Sequence, residues 1–382
     1  MSGERKEYLK HVKRVLVKVG TGTLTGTDGL DLAIVEQLVD EIAGFEKQGF
    51  QFVMVSSGAI ASGKHRMGIR GKLKSLPEKQ AAAAIGQGRL MRVYSNAFGR
   101  HDLYVAQLLL TMSDLTDRTR FLNMRNTLSV LMEWGVVPII NENDTVSVDE
   151  LKFGDNDNLA SIMANIMEAD LLINLTNTEG LYDRNPKGGV KARLIQTVPE
   201  ITEEIENFAS SEADPVGMGG MKSKVLAARK VTAFGIPFII ACGKRKGILR
   251  EILEGNEAGT LFLPAEEALK SRQHWIAFTL RSRGKLFVDN GARDAVLLKG
   301  KSLLPSGIVA VEGDFAVGDP VMCFDSSGKL FAKGLVNYSA TEIDRIKGLR
   351  TSRIEQVLGN KPYDEVMHRD NMAVTKIFTK KS

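Results

Sequence analysis

Two lysines and two dense polar clusters carry most of the chemical content of this sequence. Lys18 precedes Gly20-Thr21-Gly22. Glycines there let backbone N–H groups approach phosphate oxygens, and the lysine adds a point charge. The alternative is a tight turn with a solvated lysine. The stretch is no G-x-G-x-x-G fingerprint, because its glycines stand at 20, 22 and 26. The second lysine closes Gly217-Met218-Gly219-Gly220-Met221-Lys222-Ser223-Lys224. Three glycines before a helix are costly unless the backbone must come close to something. Lysines in a first helical turn oppose the macrodipole, which makes sense if an anion sits between Lys222 and Lys224. The alternative is a hinge loop.

The polar clusters are Asn141-Glu142-Asn143-Asp144 and Gly154-Asp155-Asn156-Asp157-Asn158. The first follows the apolar run Val136–Ile140. Carboxylates and amides at the end of a core strand are costly unless paired, so they point to a polar ligand or a cation. The spacing lacks the glycine and terminal glutamate of an EF-hand. Asn158 reads as a helix cap, whereas Asp144, Asn156 and Asp157 read as functional. Ser57-Gly58, at another strand end before a helix, suits an anion or a plain cap. The run from Gly58 to Lys64 approaches a P-loop, but His65 stands where a metal-binding Ser or Thr belongs. Gly300-Lys301-Ser302 fails too, with Ala295 in place of the first glycine. The five histidines form no ligand-spaced cluster, and no Ser-His-Asp arrangement is visible.

These loops need a scaffold that delivers them to one edge. Strands are predicted at 15–19, 52–55, 104–110, 136–140, 171–175 and 237–241, nearly all as continuous apolar runs. Helices are predicted at 32–47, 80–98, 121–134, 159–167 and 222–234. Strand–helix alternation with fully apolar strands predicts an α/β layered fold with a mainly parallel sheet. Ligands in such sheets sit beyond the carboxyl ends of the strands, where every loop named above lies. After about residue 262 the pattern changes. KLFVDNG, AVLLKG, GIVAVEG, PVMCFDSSG and LFAKGLVNYS read as short strands of a small β-barrel or sandwich. Residues 341–358 read as helix, and 373–382 as a loose tail. The predicted division is a first domain over 1–262, a linker over 263–282, a β domain over 283–366 and a basic tail over 367–382.

Composition excludes several classes. With 382 residues, 43% apolar and 25% charged, the chain has the profile of a globular protein of two to three domains. No apolar run approaches the ~20 residues of a membrane span. The start, MSGERKEYLKHVKR, lacks the apolar core of a secretory signal. Cys242 and Cys323 form neither a disulfide framework nor a CxxC pair, so a cytoplasmic location is expected. Residues 1–280 hold 34 Lys+Arg and 34 Asp+Glu, while residues 281–382 hold 17 and 12, so the whole +5 surplus lies in the C-terminal module.

Together the motifs VKVGT at 17–21, VSSGAIASG at 55–63, INENDTV at 140–146, KFGDNDNLA at 152–160, GLY at 180–182 and GMGGMKSK at 217–224 resemble the amino-acid kinase family. They are most similar to its branch that phosphorylates the γ-carboxylate of glutamate, the first step towards proline. Residues 284–319 resemble the PUA domain carried by many bacterial members of that branch. The resemblance covers nearly the whole chain. It implies a three-layer amino-acid-kinase-like fold with a PUA-like β-barrel, and ATP and Mg²⁺ as cofactors, the metal carried mainly by ATP. It implies that Lys18, Asp157 and Lys224 are catalytic, with Asp157 orienting the two lysines. Lys18, Gly20, Thr21, Gly22, Thr176, Asn177 and residues Met218, Gly219, Gly220, Met221, Lys222, Ser223 and Lys224 would bind ATP. Ser57, Gly58, Asp144 and Asn156 would bind L-glutamate. The chain departs from the family at Asn177, where Asp is usual, at Met218, where Thr is usual, and at Lys222, where a small polar residue is usual.

The chemistry fits those residue types. A carboxylate with a reference pKa of ~4.3 is already ionised, so no general base is needed. The product is an easily hydrolysed acyl phosphate, so a lid is expected, with residues 210–220 as the candidate. Also implied by the resemblance are a homodimer or homotetramer, proline as a feedback inhibitor, and a downstream glutamyl-phosphate reductase. The competing enzyme reading is another family member, an N-acetylglutamate or aspartate kinase. The competing binding reading is RNA recognition by the basic C-terminal module. It is disfavoured because no dense Lys/Arg run interleaves with aromatics there.

Overall fold

The computed structural model describes residues 2–26, 29–146, 156–186, 192–210, 220–265, 276–277, 280 and 282–374. The chain divides into two compact units, Met1–Ala268 and Leu269–Ser382. The first unit opens with α1 (Ser2–Leu9), β1 (Arg14–Val19), the single turn α2 (Thr21–Leu24), the short ladder of β2 (Thr25–Gly26) with β3 (Gly29–Leu30), and α3 (Leu32–Glu46). It continues through β4 (Gln51–Ser56), α4 (Ala59–Arg66), α5 (Leu76–Gly99), β5 (Val105–Leu110), α6 (Met112–Thr116), α7 (Arg118–Glu133) and β6 (Val137–Glu142). It ends with α8 (Asn156–Ile166), β7 (Leu171–Thr176), β8 (Thr197–Val198), α9 (Glu203–Ser210), α10 (Met221–Thr232), β9 (Phe238–Cys242), α11 (Ile248–Leu253) and β10 (Thr260–Phe262).

Eight of these strands form one sheet in the order β5-β6-β4-β1-β7-β9-β10-β8. Its pairings are parallel except β9–β10, so the mainly parallel α/β sheet is as expected. Period-two alternation sorts the strand side chains into two cores. Val15, Val17 and Val19 of β1 join Met54, Ile173 and Ile239 in the core under α3, α5 and α11. Leu16, Val53 and Leu172 face the other way, into the core under α7, α8 and α10. The result is three layers with apolar strands between two helical faces. Among the described residues, no helix is long and apolar enough to cross a membrane.

Local signals start the helices as chemistry requires. Asp31 accepts the Ile34 N–H at 3.3 Å and caps α3. Ser75 and Glu78 form a reciprocal capping box on α5. Helix α4 was not delimited from the sequence; Gly58, with φ +95°, supplies the left-handed residue that turns β4 into it. Packing of α4 on α5 depends on two facing glycines. A Cβ at Gly63 would lie 1.8 Å from the Ala82 carbonyl, and one at Gly86 would lie 1.8 Å from that of Ala59.

The second unit holds β11 (Gly284–Val288), α12 (Asn290–Lys299), β12 (Ile308–Gly313), β13 (Pro320–Phe324), β14 (Leu330–Leu335), α13 (Ala340–Ile346), α14 (Ile354–Leu358) and β15 (Met372–Val374). Its five-stranded sheet runs β12-β11-β13-β14-β15. Three sequence expectations change here. The AVLLKG run belongs to helix α12 rather than to a strand. Asp289 caps that helix by accepting the Ala292 N–H at 2.7 Å, and Gly300 ends it at φ +57°. The helix expected over 341–358 is two helices, broken at Gly348 with φ +74°. The tail expected from 367 begins inside the fold: Met372 and Ala373 are buried, and β15 pairs with β14. Residues 375–382 lie outside the described residues.

Candidate active site

Strand β1 is buried from Val15 to Val19, and alternation turns Lys18 onto the same face as Leu16. Only 5% of Lys18 is exposed. An ammonium in that position must be paired. In the ladder Lys18 stands beside Asn174 of β7, whose side chain therefore projects from the same face. Asp157, in the first turn of α8, reaches down to both. Its Oδ1 lies 2.5 Å from Lys18 Nζ and accepts from Asn174 Nδ2 at 2.8 Å. Its Oδ2 accepts from Ser223 Oγ at 2.9 Å and lies 3.4 Å from Lys224 Nζ. Burial pushes the Asp157 carboxyl upward, but Lys18 and then Lys224 outweigh it, holding the group well below the usual carboxylate range. Two ammoniums converge on this one buried carboxylate. Such a centre attracts a polyanion and stabilises negative charge that develops nearby.

Lys224 arrives on α10, which starts after Gly220. Within that first turn Met221 and Lys224 are buried and Ser223 half-buried, while Lys222 is exposed. The structure therefore brings Lys224, not Lys222, to Asp157. Met218 and Gly219, like most of the expected lid, lie outside the described residues.

The glycine loop after β1 borders this centre. Gly20 N–H bonds the Leu175 carbonyl at 3.0 Å. A Cβ on Gly20 would sit 3.3 Å from that oxygen and 3.7 Å from Lys18 Nζ. Thr21 and Gly22 are exposed in the next turn. A Cβ on Gly22 would lie 3.6 Å from Asn177 Nδ2, so this loop and the end of β7 are neighbours. Thr176 is buried there and donates to Asn177 Oδ1 at 3.3 Å. The loops assigned to the nucleotide from sequence thus share one edge of the sheet.

Beside them Asn156 ties β4 and β6 to α8. Its Nδ2 donates to the Ser56 carbonyl and Ser57 Oγ at 2.9 Å each, and to Asn141 Oδ1 at 3.0 Å. Asn141 Nδ2 in turn donates to Gln87 Oε1 at 2.9 Å, and Ser56 Oγ meets Tyr94 OH at 2.9 Å. Asp144 is half-buried in the turn after β6. Asn156 Oδ1, Gln87 Nε2 and Asn174 Oδ1 are buried without a hydrogen-bond partner among the described residues. Buried atoms of this kind are expensive unless a ligand or ordered water completes them.

Sequence reasoning missed Asn174, Gln87 and Tyr94, and gave Asn141 no role beyond its place in a polar cluster. Asn174 left a signal: one amide inside the apolar run LLINL, in a strand buried at every position. Gln87 and Tyr94 left none, because a helix surface of 24 residues offers many polar positions.

Comparison with known proteins agrees with this geometry. Residues 13–242 match the amino acid kinase family, and residues 284–358 match the PUA domain. The chain is 68% identical over 376 residues to a glutamate 5-kinase of Syntrophus aciditrophicus (strain SB), covering 98% of each chain. It is 52% identical over 372 residues to a glutamate 5-kinase of Syntrophotalea carbinolica, covering 97% of this chain and all of the relative. A glutamate 5-kinase of Pelobacter propionicus is 49% identical over 371 residues, again covering 97% and the whole relative. The chain belongs to the amino acid kinase family, in the same group as these glutamate 5-kinases.

Proposed function

We infer that this chain transfers the γ-phosphoryl group of ATP to the γ-carboxylate of L-glutamate, giving glutamyl 5-phosphate for proline synthesis. The observation that carries the reaction type is the buried Lys18–Asp157–Lys224 centre beside the glycine loop. The full-length likeness to glutamate 5-kinases names the acceptor.

A carboxylate oxygen of glutamate attacks the γ-phosphorus, and the bond from that phosphorus to the β–γ bridging oxygen breaks. ADP leaves with the electron pair, so no proton needs to move. The barrier lies in bringing two anions together and spreading charge over the transferring group. Lys18 and Lys224 answer both needs, and Asp157 keeps them at a fixed separation. Ser57, Gly58, Asp144 and Asn156 are proposed to hold glutamate, with Asp144 against its ammonium. Gly20, Thr21, Gly22, Thr176, Asn177 and the 218–224 segment are proposed to hold ATP.

Mg²⁺ is proposed to enter on the ATP phosphates. The Asp157 oxygens are already engaged by Lys18, Asn174, Ser223 and Lys224. Among the described residues, no group of three or more His, Cys, Asp or Glu could hold a metal. A homodimer or homotetramer, inhibition by proline, a reductase that consumes the acyl phosphate, and a cytoplasmic setting are proposed on the family resemblance. ADP release measured with glutamate, aspartate, N-acetylglutamate and UMP tests the acceptor. Turnover that depends on glutamate and is fastest with it supports the assignment; faster turnover with another acceptor overturns it.

A further inference from the structure

We propose that the second unit carries its own binding cavity for a small phosphate-bearing molecule, where the segment after α12 meets the approach to β15. The cavity measures about 700 Å³, within the ~300–1,000 Å³ typical of small-ligand sites. Its walls come from the start of α12 and from two stretches that an antiparallel bridge holds side by side. Leu303 N–H bonds the Met367 carbonyl at 2.9 Å, and Val366 N–H bonds the Leu303 carbonyl at 2.8 Å. Arg369 N–H bonds Ser302 Oγ at 3.1 Å. These bonds set Lys301 and Ser302 beside His368 and Arg369 on the cavity wall.

The polar lining is dominated by donors. Lys301 takes part in no ion pair among the described residues, and Arg369 meets Asp370 only at 3.8 Å. His368 Nδ1 accepts the Asp370 N–H at 3.2 Å, which leaves Nε2 as the N–H donor of the neutral ring. The one carboxylate on the wall, Asp289, is engaged by the Ala292 N–H at 2.7 Å. Leu303 and Leu304 give the cavity an apolar part. Charged donors on the wall with an apolar part beside them fit an organic phosphate. An RNA strand fits less well. None of the lining residues is Phe, Tyr or Trp, and single strands are usually held by aromatic stacking.

The test uses the full chain. Crystals soaked in tungstate, an anomalously scattering phosphate analogue, should show a peak in this cavity within reach of Lys301 and Arg369. Calorimetric titration with pyrophosphate should show a binding event that weakens at least tenfold in the Lys301→Gln/Arg369→Gln variant, while turnover of the kinase reaction stays within twofold. The glutamines keep a polar, hydrogen-bonding side chain and remove the charge. The absence of a tungstate peak from the cavity, or equal pyrophosphate binding by both proteins, overturns the proposal. So does retention of a single-stranded RNA that the double variant loses and pyrophosphate does not displace.

Discussion

Lys18 and Asn174 stand opposite each other across the β1–β7 ladder, and both end on the same Asp157 oxygen, at 2.5 and 2.8 Å. Strand register therefore places the donor that steadies the carboxylate next to the lysine that the carboxylate steadies. Asn174 has no need to touch a substrate to matter. Asn174→Leu should lower kcat about tenfold or more while moving the glutamate KM less than threefold, because the cost falls on the orientation of Lys18. Steady-state kinetics decide it. A rise in KM at constant kcat would place Asn174 in glutamate binding instead.

Lys224 and Asp144 separate along the same two axes. Lys224→Ala should lower kcat by about 100-fold or more, the usual loss of a major electrostatic contact. Asp144→Ala should chiefly raise the glutamate KM, since its proposed partner is the substrate ammonium. Near-normal turnover without Lys224, or an unchanged KM without Asp144, would remove that residue from its role.

The α4–α5 contact predicts opposite outcomes for two glycines of one helix. A Cβ at Gly86 would meet the Ala59 carbonyl at 1.8 Å, whereas nothing lies within 4 Å of one at Gly88. Gly86→Ala should cost about 1–3 kcal/mol or more through overpacking against backbone. Gly88→Ala should stabilise by about 0.5–1 kcal/mol through helix propensity. Urea midpoints of the two variants check both signs, and equal shifts would contradict the packing described here.

Glu46 gives stability a pH dependence of its own. Burial pushes its carboxyl from the ordinary 4.5 up to about 7, although the Phe52 N–H bond at 2.9 Å pulls the other way. Between those values the folded chain keeps a proton that the unfolded chain has released. Stability from this group therefore falls as pH rises from 4.5 to about 7. Glu46→Gln cannot ionise, so its advantage over the wild type should grow between pH 5 and pH 8. Denaturation curves with the same separation at both pH values would be evidence against a half-buried, protonated Glu46.

Much of the sheet was legible because its strands are buried on both faces. VLVKV, VVPII and LLINL announce themselves as apolar runs whatever surrounds them. Lys18, Asp157 and Lys224 were legible because charged residues stood at strand and helix ends beside glycine. Helix α12 was misread because Ala-Val-Leu-Leu suits a strand as well as a helix, although Asp289 and Gly300 already marked both of its ends. The hydrogen-bonded chain from Gln87 through Asn141 to Asn156 was not legible. It spans 54 residues in its first link and 15 in its second, and only folding brings those amides together.

The most direct test of the central claim traps the product. With ATP, Mg²⁺, L-glutamate and hydroxylamine, the acyl phosphate should be captured as glutamyl γ-hydroxamate in amounts equal to the ADP released. ADP released without hydroxamate, or hydroxamate formed faster from aspartate or N-acetylglutamate, would contradict phosphorylation of the glutamate γ-carboxylate.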